Sequence, residues 1–261
     1  VGPVPIAPVI KANAYGHGLI QVARILEGAE AFAVARLEEA MQLREAGICK
    51  RLVILGGCLT QEEIRVVSDL ALDVMVHSPQ QVALLEAAAV IAPVACWLKV
   101  DTGMGRLGVE PAEAPGLLKR LRSAPAVSSL TLVTHLGCAD DHSDPATGEQ
   151  LQAFSRLLRD WDGDVSLANS AAILQWPDTV RSGGLLRYSG RNWVRPGIML
   201  FGASPLRGKS AVDLGLRPAM SFETRLIAVK PVRKGQRVGY GGHWVAPRDS
   251  VLGVAAAGYA D

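Results

Sequence analysis

No apolar run in the 261-residue chain approaches the roughly 18 residues needed to cross a bilayer; the longest, such as residues 251–258, have the length of a strand. A membrane span is therefore not expected. A surplus of one charge is also missing, since 27 basic residues face 25 acidic ones spread along the sequence. No basic face is available to recruit nucleic acid or anionic lipid, and the expected partner is a small molecule. Cysteine is scarce: Cys49, Cys58, Cys96 and Cys138 stand far apart without a C-x-x-C pair. That spacing argues against a zinc knuckle, a dithiol redox site or a disulfide scaffold, and points to mostly buried thiols in a reducing, cytoplasmic compartment. The chain also lacks an initiator methionine at Val1 and stops at Asp261 in mid-turn, so it reads as a fragment from which a targeting segment would already be lost.

What is present is a globular composition, 49% hydrophobic and 20% charged, with a mean hydropathy of +0.21 that excludes a disordered chain. Short apolar runs alternate with stretches of helical spacing. Strands are expected at 4–10, 31–35, 51–55, 73–76, 93–100, 130–135, 164–167 and 193–195, with helices at 19–26, 37–46, 62–70, 112–123 and 148–160. Residues 196–201 read either as a continuation of the last strand or as a short helix with proline in its first turn. Such alternation over most of the chain predicts an α/β fold, a (βα)8 TIM-type barrel spanning residues 1–218. A Gly/Pro/Ser-rich stretch at 204–218 reads as a linker. The strands expected at 221–230 and 250–257, with no helix between them, mark a second, mainly β domain at 219–261, incomplete in this chain.

A barrel carries its active site where its strands end. Those ends supply Lys11 with Asn13, Tyr15 and His17; Lys99 and Asp101 ahead of the turn to Arg106; His135; Asn169 and Ser170; and Arg195. A lysine ending an apolar strand is costly to bury as a cation and well placed for Schiff-base chemistry, although snorkelling or ion pairing would also explain it. Ser170 and the amides of Gly197 and Ile198 fall where barrels bind phosphate; equally, Ser170 could cap a helix at 171–175 and Gly197 could serve a turn. Asp140, Asp141, His142 and Asp144 read as a solvated turn rather than a metal site. Cys58 and Cys138 lack a partner motif for nucleophilic catalysis, and His77 reads as a pocket-mouth or surface histidine.

The run V-I-K-A-N-A-Y-G-H-G at 9–18 resembles the cofactor-lysine motif of alanine racemases, pyridoxal phosphate enzymes of fold type III. K-V-D-T-G-M-G-R-L-G at 99–108, T-H at 134–135, A-N-S-A-A at 168–172, V-R-P-G-I at 194–198 and V-G-Y-G at 238–241 resemble further family motifs in the same order. The resemblance implies pyridoxal 5'-phosphate as cofactor, alanine as substrate and a two-base mechanism, with Lys11 holding the cofactor and acting as one base and Tyr240 as the other. It places Tyr15, Ser170, Gly197 and Ile198 at the phosphate, with Asn169 among the cofactor-binding residues. Arg106 would face the phenolic oxygen and the substrate, Arg195 the ring nitrogen, and His135 would link Arg195 to Tyr240. Lys99 would be open to carbamylation and would then orient Arg106. The family places the tyrosine in the neighbouring subunit's site, which implies a homodimer. Without the resemblance, His135 reads as a core histidine, Lys99 as an ion-paired lysine and Tyr240 as a strand-end tyrosine.

Two other readings share parts of this pattern. A single-domain carrier of pyridoxal phosphate would lack the β domain with Tyr240, and a fold III decarboxylase would pair the ring nitrogen with a carboxylate rather than with Arg195. The racemase chemistry serves D-alanine supply for peptidoglycan, and so cell-wall biogenesis, or alanine catabolism alike.

Overall fold

The computed structural model describes residues 4–180, 186 and 188–258. Both chain ends, on which the expectation of a fragment rests, lie partly outside these residues. The chain divides into two compact units, Val1–Ala219 and Met220–Asp261.

In the first unit seven parallel strands follow one another in sequence order: β1 (Ala31–Val34), β2 (Arg51–Ile54), β3 (Asp73–Val76), β4 (Val94–Lys99), β5 (Val127–Val133), β6 (Asp164–Asn169) and β7 (Asn192–Arg195). The strand expected at 4–10 exists only as two isolated parallel bridges, Ile6 to Val194 and Val9 to Ala33. Pro5 and Pro8 explain the difference, because neither has an N–H for the ladder. Their carbonyls still accept, from Val194 N at 3.0 Å and Ala33 N at 2.8 Å, so the segment joins β7 to β1 and nearly closes the barrel.

Strand periodicity separates two cores. One residue in two, including Ala31, Ala33, Val53, Met75, Trp97, Val133 and Trp193, belongs to one buried cluster. Their neighbours, including Phe32, Val34, Leu52, Ile54, Val74 and Leu98, pack with the helices in the other. Trp97 and Trp193 meet edge to face at 5.7 Å. Their indole N–H groups donate to Asp73 at 2.6 Å and to Asp164 at 2.9 Å, and Arg51 bonds Asp73 at 2.5 Å while lying over both rings. These residues form a floor at the strands' N-terminal ends, so the barrel's inside is a packed core rather than a pore.

The helices are α2 (Leu19–Ile25), α3 (Leu37–Glu45), α4 (Gln61–Asp69), α5 (Pro79–Glu86), α6 (Ala114–Ser123), α7 (Ala146–Leu157) and α8 (Ser170–Gln175). The alternation of strand and helix completes a fourth unit by residue 90 without fixing the bounds of its helix, and α5 is that helix. There Ser78 caps Gln81 N at 3.3 Å, and Pro79 sits in the first turn, where its missing N–H does no harm. Residues 204–218 are tied to the barrel rather than forming a free linker: Arg207 N donates to Asp140 O at 3.1 Å, and the Arg207 guanidinium pairs with Asp141 at 2.9 Å. In the second unit β8 (Leu226–Val232) pairs antiparallel with β11 (Ser250–Ala255), and β9 (Arg237–Val238) with β10 (Trp244–Val245). The first of these strands starts five residues later than the sequence suggests, and the short β9–β10 pair is additional.

Candidate active site

Continuing the inward register of the first segment, β4, β5 and β7 by two residues brings Lys11, Lys99, His135 and Arg195 to the C-terminal mouth. They line a cavity of about 590 Å³ together with Tyr15, Arg106, Asn169, Ser170, Gly197 and Ile198. Every first-unit residue that the family resemblance assigns to the site is thus in one place, whereas the other strand-end candidates Asn13, His17 and Asp101 do not line the cavity. Asp140 is the one carboxylate among the described lining residues, against the cations Lys11, Lys99, Arg106 and Arg195. The surplus is felt by its members: Lys99 is held down to about 8, first by burial and then by Arg195, Arg106 and Lys11. His135 is pushed down to about 3, by burial and then by Arg195 and the other three cations, and is neutral at working pH.

Arg195 is 5% exposed. Its guanidinium donates to Ser166 Oγ and, at 2.8 Å, to Thr134 O, while His135 Nδ1 lies 3.4 Å away. Burial lowers Arg195 only to about 10, so it remains a cation. Because guanidinium has no lone pair to accept with, His135 Nδ1 is the acceptor and the imidazole proton is assigned to Nε2. The His135 carbonyl is fixed by Gln150 Nε2 at 2.9 Å.

After Lys11 the chain turns sharply through α1 (Lys11–Tyr15), in which Ala12, Asn13, Ala14 and Tyr15 all have φ near +54°. Left-handed geometry costs non-glycine residues about 1–2 kcal/mol each, and such runs persist only where surrounding contacts hold them. Here Gly16 N donates to Ala12 O and Asn13 O at 3.1 Å, Asn13 Oδ1 accepts from Leu19 N at 2.8 Å, and Glu39 Oε1 accepts from Ala12 N at 2.6 Å. Beyond the turn Tyr15 packs on Phe201, with ring centroids 5.0 Å apart. Burial raises the Tyr15 hydroxyl pKa and keeps it a donor.

Ser170 does not cap α8. That role belongs to Asn169, whose Oδ1 accepts from Ala172 N at 3.0 Å and whose Nδ2 donates to Leu136 O at 3.0 Å, 3.4 Å from His135 Nε2. Ser170 Oγ instead accepts from Gly197 N at 2.8 Å and Met199 N at 3.4 Å. A Cβ built on Gly197 would stand 2.8 Å from Tyr15 Oη, so the missing side chain is what lets the hydroxyl approach. Tyr15, Ser170 and the start of the 3-10 turn Ile198–Phe201 therefore meet in one donor-rich corner suited to a phosphate ester.

Arg106 is presented by a loop that Asp101 holds. Its Oδ1 accepts from the amides of Gly103, Met104 and Gly105 at 2.9, 2.9 and 3.1 Å. Burial opposes its ionisation, but these amides and Lys99 keep its carboxyl below the usual value. Tyr240 lies in the second unit on the 3-10 turn Tyr240–Gly242 and is fully exposed. Asp141 satisfies Ser143 and Arg207, and among the described residues no group of three or more His, Cys, Asp or Glu could hold a metal.

Sequence reasoning missed Ser166 and Glu39. The inward register of β6 was the available signal for Ser166; a glutamate in a helix's first turn was the only one for Glu39, whose contact with Ala12 spans 27 residues.

Comparison with known proteins identifies the family. The family model "Alanine racemase, N-terminal domain" matches residues 1–205, and "Alanine racemase, C-terminal domain" matches residues 219–261. An alanine racemase of Aeromonas hydrophila is 44% identical over 257 residues, 98% of this chain and 69% of the relative. One from Vibrio cholerae is 43% identical, covering 98% and 68%. The crystal structure of biosynthetic alanine racemase from Pseudomonas aeruginosa superposes with a TM-score of 0.89 at 41% identity, covering 99% of this chain and 70% of that one. The alanine racemase of Bartonella henselae with covalently bound pyridoxal phosphate gives 0.80 at 26% identity, covering 100% and 70%.

Proposed function

The chain belongs to the alanine racemase family and its reaction is the racemisation of alanine; from this premise we propose that Lys11 holds pyridoxal 5'-phosphate and shares proton transfer with Tyr240. The observation that carries the assignment is the convergence of Lys11, four cations in all, and the Tyr15–Ser170–Gly197 corner on one cavity. The match of residues 219–261 to the family's C-terminal domain weighs against the carrier and decarboxylase readings.

The residues present fit the cofactor. Surplus positive charge suits its phosphate, and the corner that a Cβ on Gly197 would fill offers hydroxyl and amide donors. When bound, the cofactor would supply a conjugated ring that delocalises the electron pair left at the substrate's α-carbon. Tyr15, Ser170 and the amides of Gly197 and Ile198 would hold the phosphate. Arg195 would face the ring nitrogen, and because it can only donate, that nitrogen would carry no proton of its own. By leaving that nitrogen unprotonated Arg195 would weaken the electron withdrawal the cofactor supplies, which would favour prompt return of the proton to the α-carbon over transamination and elimination.

Inversion requires a proton to leave one face of the α-carbon and another to arrive on the opposite face. Lys11 would act on one face and Tyr240 on the other, exchanging roles between the enantiomers. Neutral His135, accepting from Arg195, would carry the positive field toward Tyr240. Asn169 would be among the residues that face the cofactor, and Arg106 would bind the phenolic oxygen and the substrate carboxylate. With Lys99 held down to about 8, its neutral amine can add carbon dioxide and release a proton, and the resulting carbamate would orient Arg106. Tyr240, exposed in the single chain, would serve the neighbouring subunit of a homodimer. Free cysteines, two of them buried, suit a cytoplasmic setting.

Solvent exchange tests the assignment. In deuterium oxide the holoenzyme should exchange the α-hydrogen of both enantiomers, and Tyr240→Phe should lose abstraction from L-alanine while Lys11→Ala loses all exchange. Undiminished exchange from L-alanine in Tyr240→Phe would refute the two-base assignment.

A further inference from the structure

Glu39 occupies the third helical position of α3, and Oε2 accepts from its own loop's amides, Ala35 N at 2.8 Å and Arg36 N at 3.2 Å. Glu63 occupies the same position in α4 and accepts from Leu59 N at 2.6 Å and Thr60 N at 3.4 Å. Gln81, its equivalent in α5, accepts from His77 N at 2.8 Å. Among the described residues Glu63 and Gln81 serve only their own loop and helix in this way, through one carboxyl or amide oxygen. Glu39 uses its second oxygen as well, for the amide of Ala12 at 2.6 Å. That amide belongs to the peptide bond immediately after Lys11 and opens the left-handed run.

We propose that Glu39 is a positioning residue for the racemase reaction: its carboxylate clamps the Lys11–Ala12 peptide to the β1–α3 loop and so fixes where the Lys11 amine points. The inference rests on the reading of Lys11 as the reacting lysine. A strand end whose next four residues lie in unfavourable geometry has a strong tendency to relax, and relaxation would swing the Lys11 Cα–Cβ bond. An ionised carboxylate with one oxygen for each side satisfies both ends, whereas an amide side chain has one acceptor and must leave one end facing a donor.

The test compares Glu39→Gln and Glu39→Ala with Glu63→Gln, which loses the same charge but keeps one acceptor for its single-oxygen loop contact, as Gln81 does one βα unit later. Amide hydrogen exchange at Ala12, measured on the protein without cofactor, should quicken by about tenfold or more in Glu39→Ala and by less in Glu39→Gln, the loss expected of a charge-assisted hydrogen bond. The visible absorbance of added pyridoxal phosphate should develop more slowly in the same order. In the loaded enzyme kcat should fall while KM for alanine stays within about twofold, the pattern of misaligned chemistry rather than weakened binding. Glu63→Gln, which retains its one needed acceptor, should change none of these. Unaltered Ala12 exchange in Glu39→Gln would overturn the proposal, as would the same loss of kcat in Glu63→Gln; should Glu39→Ala not fold, the Gln pair decides. Activity retained by Lys11→Ala would fault the Lys11 reading itself, a failure that exchange measured without cofactor keeps separate.

Discussion

Adding one methyl group at Gly197 should weaken cofactor binding with limited damage to the fold. The new Cβ would stand 2.8 Å from Tyr15 Oη, 3.5 Å from its Cζ and 3.6 Å from Val9 Cβ, and ordinary contact begins at 3.4 Å. The hydroxyl must therefore retreat by about 0.6 Å or more. Tyr15 packs on Phe201, so the ring tilts against a packed neighbour, an overpacking cost of about 1–3 kcal/mol. In the loaded enzyme a displaced Tyr15 forfeits a hydrogen bond to a charged phosphate, about 1.5–3 kcal/mol, which is a roughly 10- to 150-fold rise in Kd. Titration of pyridoxal phosphate into Gly197→Ala, followed by visible absorbance, measures that rise, and a thermal melt verifies folding. Tyr15→Phe removes the same hydroxyl, so the double variant should bind about as weakly as the weaker single one. A folded Gly197→Ala with wild-type Kd, or losses that simply add in the double variant, would refute the phosphate-corner geometry.

The barrel floor makes a stability prediction. Asp73 is 6% exposed and holds both Arg51 and the Trp97 indole, so Asp73→Ala should cost about 3 kcal/mol in urea unfolding; a loss under about 1 kcal/mol would contradict a buried pair that matters. His135 sets an acid limit: it titrates at about 3 when folded against 6.5 ordinarily. Below pH 6.5 the unfolded chain takes up that proton first, so stability should fall by about 1.4 kcal/mol per pH unit down toward pH 3. His135→Gln should flatten this slope between pH 6 and 4, and an unchanged slope would count against the depressed imidazole. For Lys99, equilibration with isotopically labelled bicarbonate should yield a carbamate resonance that Lys99→Met abolishes; a spectrum without it would remove the carbamate from the account.

Much of the barrel was legible because two periods are written side by side. Residues 73–76 and 94–99 alternate inward and outward as strands, while Ile64 and Val67 recur at helical spacing. The segment at 4–10 was legible as extended but not as an interrupted strand, since the consequence of Pro5 and Pro8 depends on which neighbour needs a donor. Strand ends named Lys11, Lys99, His135, Ser170 and Arg195 because barrel topology places all strand ends at one mouth. Ser170 and Asn169 exchanged the expected capping role, because a cap depends on a backbone angle that either residue type permits. Glu39 stayed hidden for a different reason: its second oxygen meets a backbone amide 27 residues earlier, and no side-chain pattern records that.

The most direct test of the account is whether Lys11 of one chain and Tyr240 of another complete a single site. Lys11→Ala and Tyr240→Phe homodimers should each be inactive in racemisation. Unfolding, mixing in equal amounts and refolding them together should restore about a quarter of wild-type activity, because half the dimers are then mixed and each mixed dimer has one intact site of two. If each tyrosine served its own chain, no site in any mixed dimer would be intact. A refolded mixture that forms mixed dimers yet stays inactive would contradict the account.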